Sequence, residues 1–317
     1  ADGRLEREER FSEALSGLEE QLADLPSFTE VDRYLLSNND IPPEALAKLD
    51  TGKAPRSSYL SSDASKIQVF VMFGLDSGSA SDSVMLVALD RVHQKIKLIS
   101  LARDSYVFIP EFGSFSKLAY SYVWGGAAMA VKNLNYNYYL NVSDYIAVDF
   151  DQLAEIIDRI GGVTVNIDED EARYLSNYPN VRVGDCLLDG ETAVSYARIR
   201  KSSATDSDRK RTGRQREVIL SILNTLQTMP LSQYPGFVRD CLGMCATSFE
   251  AETLLTMAAE TLGQNYTVEQ YFFPEGQVDW WAGLIKEYFY YVYDLRRASD
   301  RIYRIIYEEL YISGYDD

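Results

Sequence analysis

Histidine is nearly missing from this 317-residue chain; His93 stands alone. Cysteine is scarce, with only Cys186, Cys241 and Cys245, and no Cys-x-x-Cys pair occurs. One imidazole and three scattered thiols cannot complete a common zinc set. The thiols could form one disulfide and leave one free, or all stay reduced, so they do not fix the redox compartment. No apolar run approaches the ~18 residues needed to cross a bilayer. The start, ADGRLEREERF, is charged from the outset and unlike a secretory signal. It also lacks Met, which is read as a piece cut from a longer protein. Positive charge is in deficit: 31 Lys+Arg face 48 Asp+Glu, a net charge of −17. Duplex-binding proteins draw their affinity from phosphate neutralisation by basic surface, so nucleic acid is not an expected partner.

Against that acidic background, one segment gathers cations. Between Tyr196 and Gln215 stand Arg198, Arg200, Arg211 and Arg214, with Asp208 and Gln215 among them. Arginine offers a rigid fork of donors that matches phosphate or carboxylate oxygens, so the cluster points to a specific anion. Arg198 and Arg200 are two apart, which on a strand puts both on one face. From Asp208 the chain reads as helix, with Asp208, Arg211 and Gln215 along one stripe. A strand end feeding a helix start would make a pocket of donors. The plainer alternative is a solvated basic turn over 209–216.

The rest of the chain divides at residue 66. Residues 1–66 carry an amphipathic helix with a seam of Phe11, Leu15, Leu18, Leu22 and Leu25, followed by a connecting stretch rich in Asn, Pro, Gly and Ser. Residues 67–317 form the main domain. IQVFVMF and VMLVAL are nearly continuous apolar runs, the pattern of strands buried on both faces. KIKLISL (95–101), YIAVDF (145–150) and VTVNI (163–167) read as further strands. GGAAMAVKNL (125–134) and DQLAEIIDRI (151–160) read as helices, the second stopped by Gly161-Gly162. Alternating strands and helices predict an α/β fold. AETLLTMAAETL (251–262) is predicted helical, and so is the aromatic-rich stretch 280–311, whose tyrosines are expected to be packing residues.

Other candidates stand where strands end. Asp76 and Asp82 bracket a Gly/Ser loop after the first strand, where α/β sheets bind ligands. Two carboxylates could hold Mg²⁺ together with substrate phosphates, or could simply cap turn amides. Arg103-Asp104 follows the third strand, and Lys117 is a further cation. His93 falls in the turn at the opposite end of the sheet, a solvated position that rules out a Ser-His-Asp arrangement.

Five blocks occur in one order: FGLDSG…SDSVMLVALD, ISLARDSYVFIP, KLAYSYVWGG, NLNYNYYLNVSDYIAVDFDQLAEIIDRIGGVTVNI, and LLDGETAVSYARIRK…DSDRKRTGRQREVIL. Together they resemble the LytR–CpsA–Psr family over residues 67 to about 227. The resemblance implies a mixed central sheet sandwiched by helices, with extra N- and C-terminal helices. It implies membrane-anchored proteins on the outer face of Gram-positive-type bacteria; with no membrane span within this chain, the anchor is expected upstream, or this member is soluble. Their implied reaction is a Mg²⁺-dependent transfer of an anionic glycopolymer from a polyprenyl-diphosphate carrier to the muramic acid C6 hydroxyl of peptidoglycan. The motif places the diphosphate grip on Arg103, Arg198, Arg200 and Gln215, with Arg211 close by as a further catalytic residue and Asp104 or Asp208 as base. Lys117, Arg214 and Gln215 become substrate-binding residues, and Asp76 and Asp82 become metal ligands. An apolar tunnel between sheet and helices would take the lipid tail. The chain departs from the pattern at Ser81, Ala102 and Ala119, where the family commonly has Arg, Pro and Asn, and its first loop is short.

Three functions compete at this point. The resemblance favours a glycopolymer phosphotransferase. The short metal loop leaves room for a non-catalytic polyprenyl-(di)phosphate binder or sensor. A transcription regulator is disfavoured by the acidic charge and the absence of a helix-turn-helix pattern.

Overall fold

The computed structural model describes residues 44, 59–76, 81–200, 204–262, 266–274 and 278–313, with the side chains of 204–208, 231 and 262 excepted. The expected N-terminal amphipathic helix lies outside the described residues. A short strand β1 (Tyr59–Leu60) precedes the long hairpin strands β2 (Ile67–Leu75) and β3 (Ser81–Asp90), and β4 (Lys95–Leu101) follows them. A small hairpin comes next, β5 (Tyr106–Ile109) and β6 (Ser114–Lys117), then helix α1 (Tyr120–Tyr138) and strand β7 (Asp144–Asp149). Helix α2 (Phe150–Arg159), strand β8 (Val163–Ile167), the short helix α3 (Glu169–Tyr174), strand β9 (Gly184–Leu188) and helix α4 (Gly190–Ala197) form a compact side unit. The long α5 (Ala204–Thr228) returns to the sheet. It is followed by α6 (Tyr234–Met244), β10 (Ala246–Thr247), α7 (Ala251–Leu262) and β11 (Thr267–Phe273). The chain then makes β12 (Trp280–Ile285), β13 (Tyr288–Tyr293), α8 (Leu295–Tyr307) and β14 (Tyr311–Ile312).

The central sheet has six strands in the order β10-β7-β2-β3-β4-β11. It is mixed: β7 runs parallel to β2 and β11 parallel to β4, while β3 runs antiparallel to both β2 and β4. The continuous apolar runs are explained by burial on both faces. In β3, Val84, Leu86 and Ala88 face α1 and α8, while Met85, Val87 and Leu89 face Ile219 and Leu223 of α5 and Leu254 and Met257 of α7. The period of two along the strand thus feeds two separate cores, giving an α/β/α sandwich.

Local signals set most boundaries. Asp149 and Gln152 form a reciprocal capping box at the start of α2. Gly161 and Gly162 end that helix with φ of +83° and +100°. Gly190 lets α4 cross α2 closely, because a Cβ there would stand 2.1 Å from the Ala154 carbonyl oxygen.

Three expectations need correction. The aromatic stretch 280–311 is not one helix. It is the β12–β13 hairpin, with Ile285 paired to Tyr288 across a two-residue turn, followed by α8. Cross-strand pairing of aromatics and Val292 outweighed the helical spacing. Arg198 and Arg200 are not on a strand; they follow the end of α4. Finally, β1 pairs with β14, so residues 59–60, assigned above to the connecting segment, are tied to the last strand of the domain.

At the sheet end away from the strand C-termini of β2 and β4, His93 is not a free solvated turn residue. Its Nδ1 lies 2.6 Å from Asp90 Oδ2 and its Nε2 2.9 Å from Glu309 Oε1. Burial pushes the imidazole pKa down, but the bonds to Asp90 and Glu309 outweigh it, and the net direction is up. A raised folded-state pKa means the protonated ring stabilises the fold fully below the unfolded value of about 6.5, and that this contribution disappears as pH rises through the folded value. We therefore expect His93→Asn to lower denaturant stability at pH 5.5 and to leave it nearly unchanged at pH 9. Equal losses at both pH values would refute the pairing.

Candidate functional site

The C-terminal ends of β2 and β4 and the start of β3 open onto one cavity of about 710 Å³. Its walls include Asp76, Asp82, Arg103, Arg198 and Arg200, from four stretches of the chain. Tyr174, Leu175, Asn177, Tyr178 and Ser195 complete it from the side unit. The sheet end is where ligands of α/β folds bind, since backbone groups and loops converge there.

The centre of this site is one carboxylate oxygen. Asp82 Oδ1 accepts a hydrogen bond from Arg103 Nη1 and one of 3.2 Å from Arg200 Nη2, and Arg211 Nη1 stands 3.7 Å away. Three guanidinium groups separated by up to 108 positions in sequence (211 − 103) meet at a single oxygen. Arg211 comes from α5 and is almost fully buried, whereas Arg200 is half exposed. Buried guanidinium charge in a polar cleft favours an anionic ligand more than the same charge in open water would. Arg198 reaches the same cavity and stacks its guanidinium 4.4 Å above the Phe150 ring, which holds the fork in place.

The backbone carrying Arg198 and Arg200 is fixed from behind. Ile199 between them is fully buried, which turns its two neighbours outward. Its carbonyl accepts from Arg214 Nη1 at 3.2 Å, and Arg214 Nε donates to Glu171 Oε1 at 2.6 Å. Glu171 in turn closes the capping box of α3 by accepting the Asp168 N–H. Arg214, expected to touch substrate, is therefore not on the cavity wall. It is a positioning residue that links α3, α5 and the arginine-bearing segment.

Two more expected residues lie behind the wall. Lys117 Nζ is 2.7 Å from Asp104 Oδ1, and Arg103 Nε is 3.8 Å from Asp104 Oδ2. Neither Lys117 nor Asp104 lines the cavity. The Lys117 ammonium also stands 5.5 Å from the Tyr290 ring centre. Asp208 lies on α5, but its side chain is outside the described residues. Gln215 borders a second, apolar space with Asp82, Met72, Phe73, Leu153 and Ile219, and its Oε1 is buried with no hydrogen-bond partner among the described residues. This space lies where the lipid tunnel was expected, yet it measures only about 60 Å³. A long hydrocarbon chain does not fit between these side chains as they stand.

Asp76 and Asp82 both line the arginine cavity, the two carboxylates available there to a divalent cation. The fit depends on an anion. Asp82 Oδ1 is surrounded by guanidinium groups, and a divalent cation there needs phosphate oxygens to offset that charge. Of the residues missed in sequence, Asn177 and Tyr178 lie outside the family blocks, while Ser195 lies within the last block without a charge to mark it. Tyr178 and Ser195 meet through a 2.6 Å hydroxyl contact made only by folding. Among the family departures, Ala102 has a structural consequence. Its N–H donates to the Phe273 carbonyl at 2.8 Å, tying β4 to β11, a bond that proline could not make.

Fold and site together define an α/β protein with an arginine-lined cleft at the ends of its central strands. The sequence model of the LytR_cpsA_psr family matches residues 45–303, and this chain belongs to that family. It is 29% identical over 166 residues to a polyisoprenyl-teichoic acid–peptidoglycan teichoic acid transferase, TagU, of Enterococcus faecalis, covering 50% of this chain and 54% of that protein. It is 30% identical over 184 residues to the regulatory protein MsrR of Staphylococcus aureus, covering 55% of this chain and 54% of that one. The chain thus spans about half the length of the curated relatives it matches. Among solved structures, the fold matches TagT bound to LI-WTA, with a TM-score of 0.63, 20% identity, and coverage of 83% and 97% of the two chains. It also matches protein gbs0355 of Streptococcus agalactiae, with a TM-score of 0.64, 24% identity, and coverage of 76% and 88%.

Proposed function

We propose that this protein is a cell-envelope phosphotransferase that moves an anionic glycopolymer from a polyprenyl-diphosphate carrier to the muramic acid C6 hydroxyl of peptidoglycan. The observation that carries the reading is the convergence of Arg103, Arg200 and Arg211 on one oxygen of Asp82, with Arg198 on the same cavity. Asp82 here occupies a place suited to a phosphate oxygen. Family membership and the teichoic acid transferase named among the relatives support the choice of substrate.

In the proposed step the acceptor hydroxyl oxygen attacks the phosphorus nearest the glycan. A P–O bond to that oxygen forms, and the P–O bond to the carrier's phosphate breaks. Polyprenyl monophosphate leaves, and the hydroxyl proton passes to a base. Guanidinium groups fixed before the reaction stabilise the charge that grows on the phosphoryl and leaving oxygens. Asp76 and Asp82 would hold Mg²⁺ together with diphosphate oxygens, and the ion would supply further charge neutralisation. Arg198 and Arg200 grip the diphosphate, and the buried Gln215 amide faces the junction of head and tail. Of the two carboxylates suggested as base, Asp104 is paired with Lys117, which leaves Asp208 as the one to examine first. The lipid tail requires Met72, Leu153 and Ile219 to part, since the space between them is small before binding. Family membership and the teichoic acid transferase among the relatives support a place for this reaction on the outer face of the cytoplasmic membrane.

The test supplies purified protein with a short-chain polyprenyl-diphosphate sugar, Mg²⁺ and soluble peptidoglycan strands, and follows lipid monophosphate by mass spectrometry. Release together with labelled peptidoglycan is the expected result. Tight binding of the lipid without any release would instead make the protein a carrier-binding or sensing module.

A further inference from the structure

Beside the arginine cavity lies a second one, of about 590 Å³, within the range of small-molecule sites. The two share Asn177 and Tyr178 in their walls. Their chemistry is opposite. The first presents arginines; among the described residues no Lys or Arg lines the second, which presents the carboxylates of Asp158, Asp189 and Glu191. Such a lining repels a diphosphate and accepts hydrogen bonds from hydroxyl and amide groups.

The second cavity is also rigidly built. Asp158 Oδ1 accepts the Gly190 N–H at 2.7 Å, binding α2 to the start of α4. Asp189 caps α4 by accepting the Thr192 N–H at 2.9 Å. Hydrogen bonds from Thr192 hold the Asp189 carboxyl below its ordinary pKa, so it stays ionised at neutral pH. Apolar surface is interleaved with these acceptors. Leu187 on β9 is 62% exposed and lines the same space as Tyr178. Carboxylates and amides beside an aromatic ring and an aliphatic side chain suit a sugar, which has hydroxyl edges and a C–H face.

We infer that this second cavity is the acceptor subsite: it takes a neutral glycan bearing hydroxyl and N-acetyl groups and presents one hydroxyl, past Asn177 and Tyr178, to the phosphoryl group in the arginine cavity. The inference rests on the phosphotransferase reading for its role, but not for its binding. The shared wall is what links the two. Tyr178 is tied to Ser195, and Ser195 lines the arginine cavity, so a ligand seated against Tyr178 is one side chain away from the anion. In transfer the presented oxygen gains the bond to phosphorus, the carrier phosphate departs with the electrons of the broken P–O bond, and the hydroxyl proton goes to a base.

The test is equilibrium binding by calorimetry with two separate probes, chitotetraose for the second cavity and inorganic pyrophosphate for the first. Glu191→Lys removes an acceptor and fills the space. It is expected to weaken chitotetraose about tenfold or more, the loss of a charged hydrogen bond, without weakening pyrophosphate. Leu187→Glu, an exposed strand position, is expected to do the same through the lost C–H contact. Arg200→Ala should show the reverse pattern. Retained pyrophosphate binding certifies that each cavity variant is folded. No chitotetraose binding by the wild type, or binding that neither cavity variant changes, overturns the inference. Failure of the wild type to bind pyrophosphate overturns the phosphotransferase reading instead, whatever the glycan result.

Discussion

Arg103→Ala is expected to slow phosphoryl transfer by about 100- to 1,000-fold, the cost of deleting one preorganised donor from a charge-stabilising site. The effect should fall mainly on kcat, because a donor aimed at developing charge acts more strongly in the transition state than in the ground state. Arg103 stands at the end of β4, hydrogen-bonded to Asp82 and 3.8 Å from Asp104. Its loss leaves Asp82 with Arg200 and Arg211, so the cleft should keep its shape. Arg103→Lys should recover only part of the rate, since an ammonium is a point charge without the planar fork. The measurement is steady-state release of lipid monophosphate from a diphosphate donor, with thermal melts to confirm folding. A folded Arg103→Ala protein with near-normal kcat would remove Arg103 from the reaction and weaken the proposed mechanism.

Lys97→Met is expected to destabilise the protein by about 3–5 kcal/mol, the typical cost of breaking a buried ion pair from one side. Lys97 and Asp90 both have fully buried side chains, and their Nζ–Oδ2 distance is 2.8 Å. The ammonium also donates to the Ile306 carbonyl at 2.8 Å and stands 2.8 Å from Glu308 Oε1. It therefore ties the third strand of the β2–β4 meander to the end of α8. Burial pushes the Asp90 carboxyl up, but its bonds to Lys97 and His93 outweigh this and hold it below the ordinary value. A depressed carboxyl pKa contributes stability above about 3.8, lost as pH falls through the folded value, so the wild type should soften in acid and the variant should soften less. For a chain of this size the expected drop in Tm is roughly 6–20 °C. Urea titration of Lys97→Met, Asp90→Asn and the double variant measures the coupling. Losses that simply add would show that the two charges do not depend on each other. Activity per folded molecule should not change, because this cluster lies at the far end of the sheet from the arginine cavity.

Much of the fold is legible because it follows from local rules. The apolar runs of β2 and β3 could only be strands buried on both faces, and Gly161-Gly162 could only end a helix at that point. The hairpin 280–293 was not legible. Its aromatic residues satisfy helical and strand spacing alike, and the choice was made by pairing with Tyr106 and Phe115 of the neighbouring β5–β6 hairpin, at a distance no local window contains. The site shows the same division. Arg103, Arg198, Arg200, Arg211, Asp76 and Asp82 were marked by motif and residue type. Arg214 was marked by the same motif but turned inward, because Glu171 on another helix offered it a buried partner.

By itself, the sequence determined the α/β class, the strands β2, β3, β4, β7 and β8, the helices α1 and α2, and the arginines and carboxylates that mark the candidate site, because periodicity and side-chain chemistry are properties of short segments. Only the tertiary structure decided that three distant arginines meet at one oxygen of Asp82, that Lys117 and Asp104 neutralise each other behind the wall, and that an acidic cavity adjoins the basic one. Those outcomes depend on long-range packing and on competition between charges for partners, which residue order alone does not express.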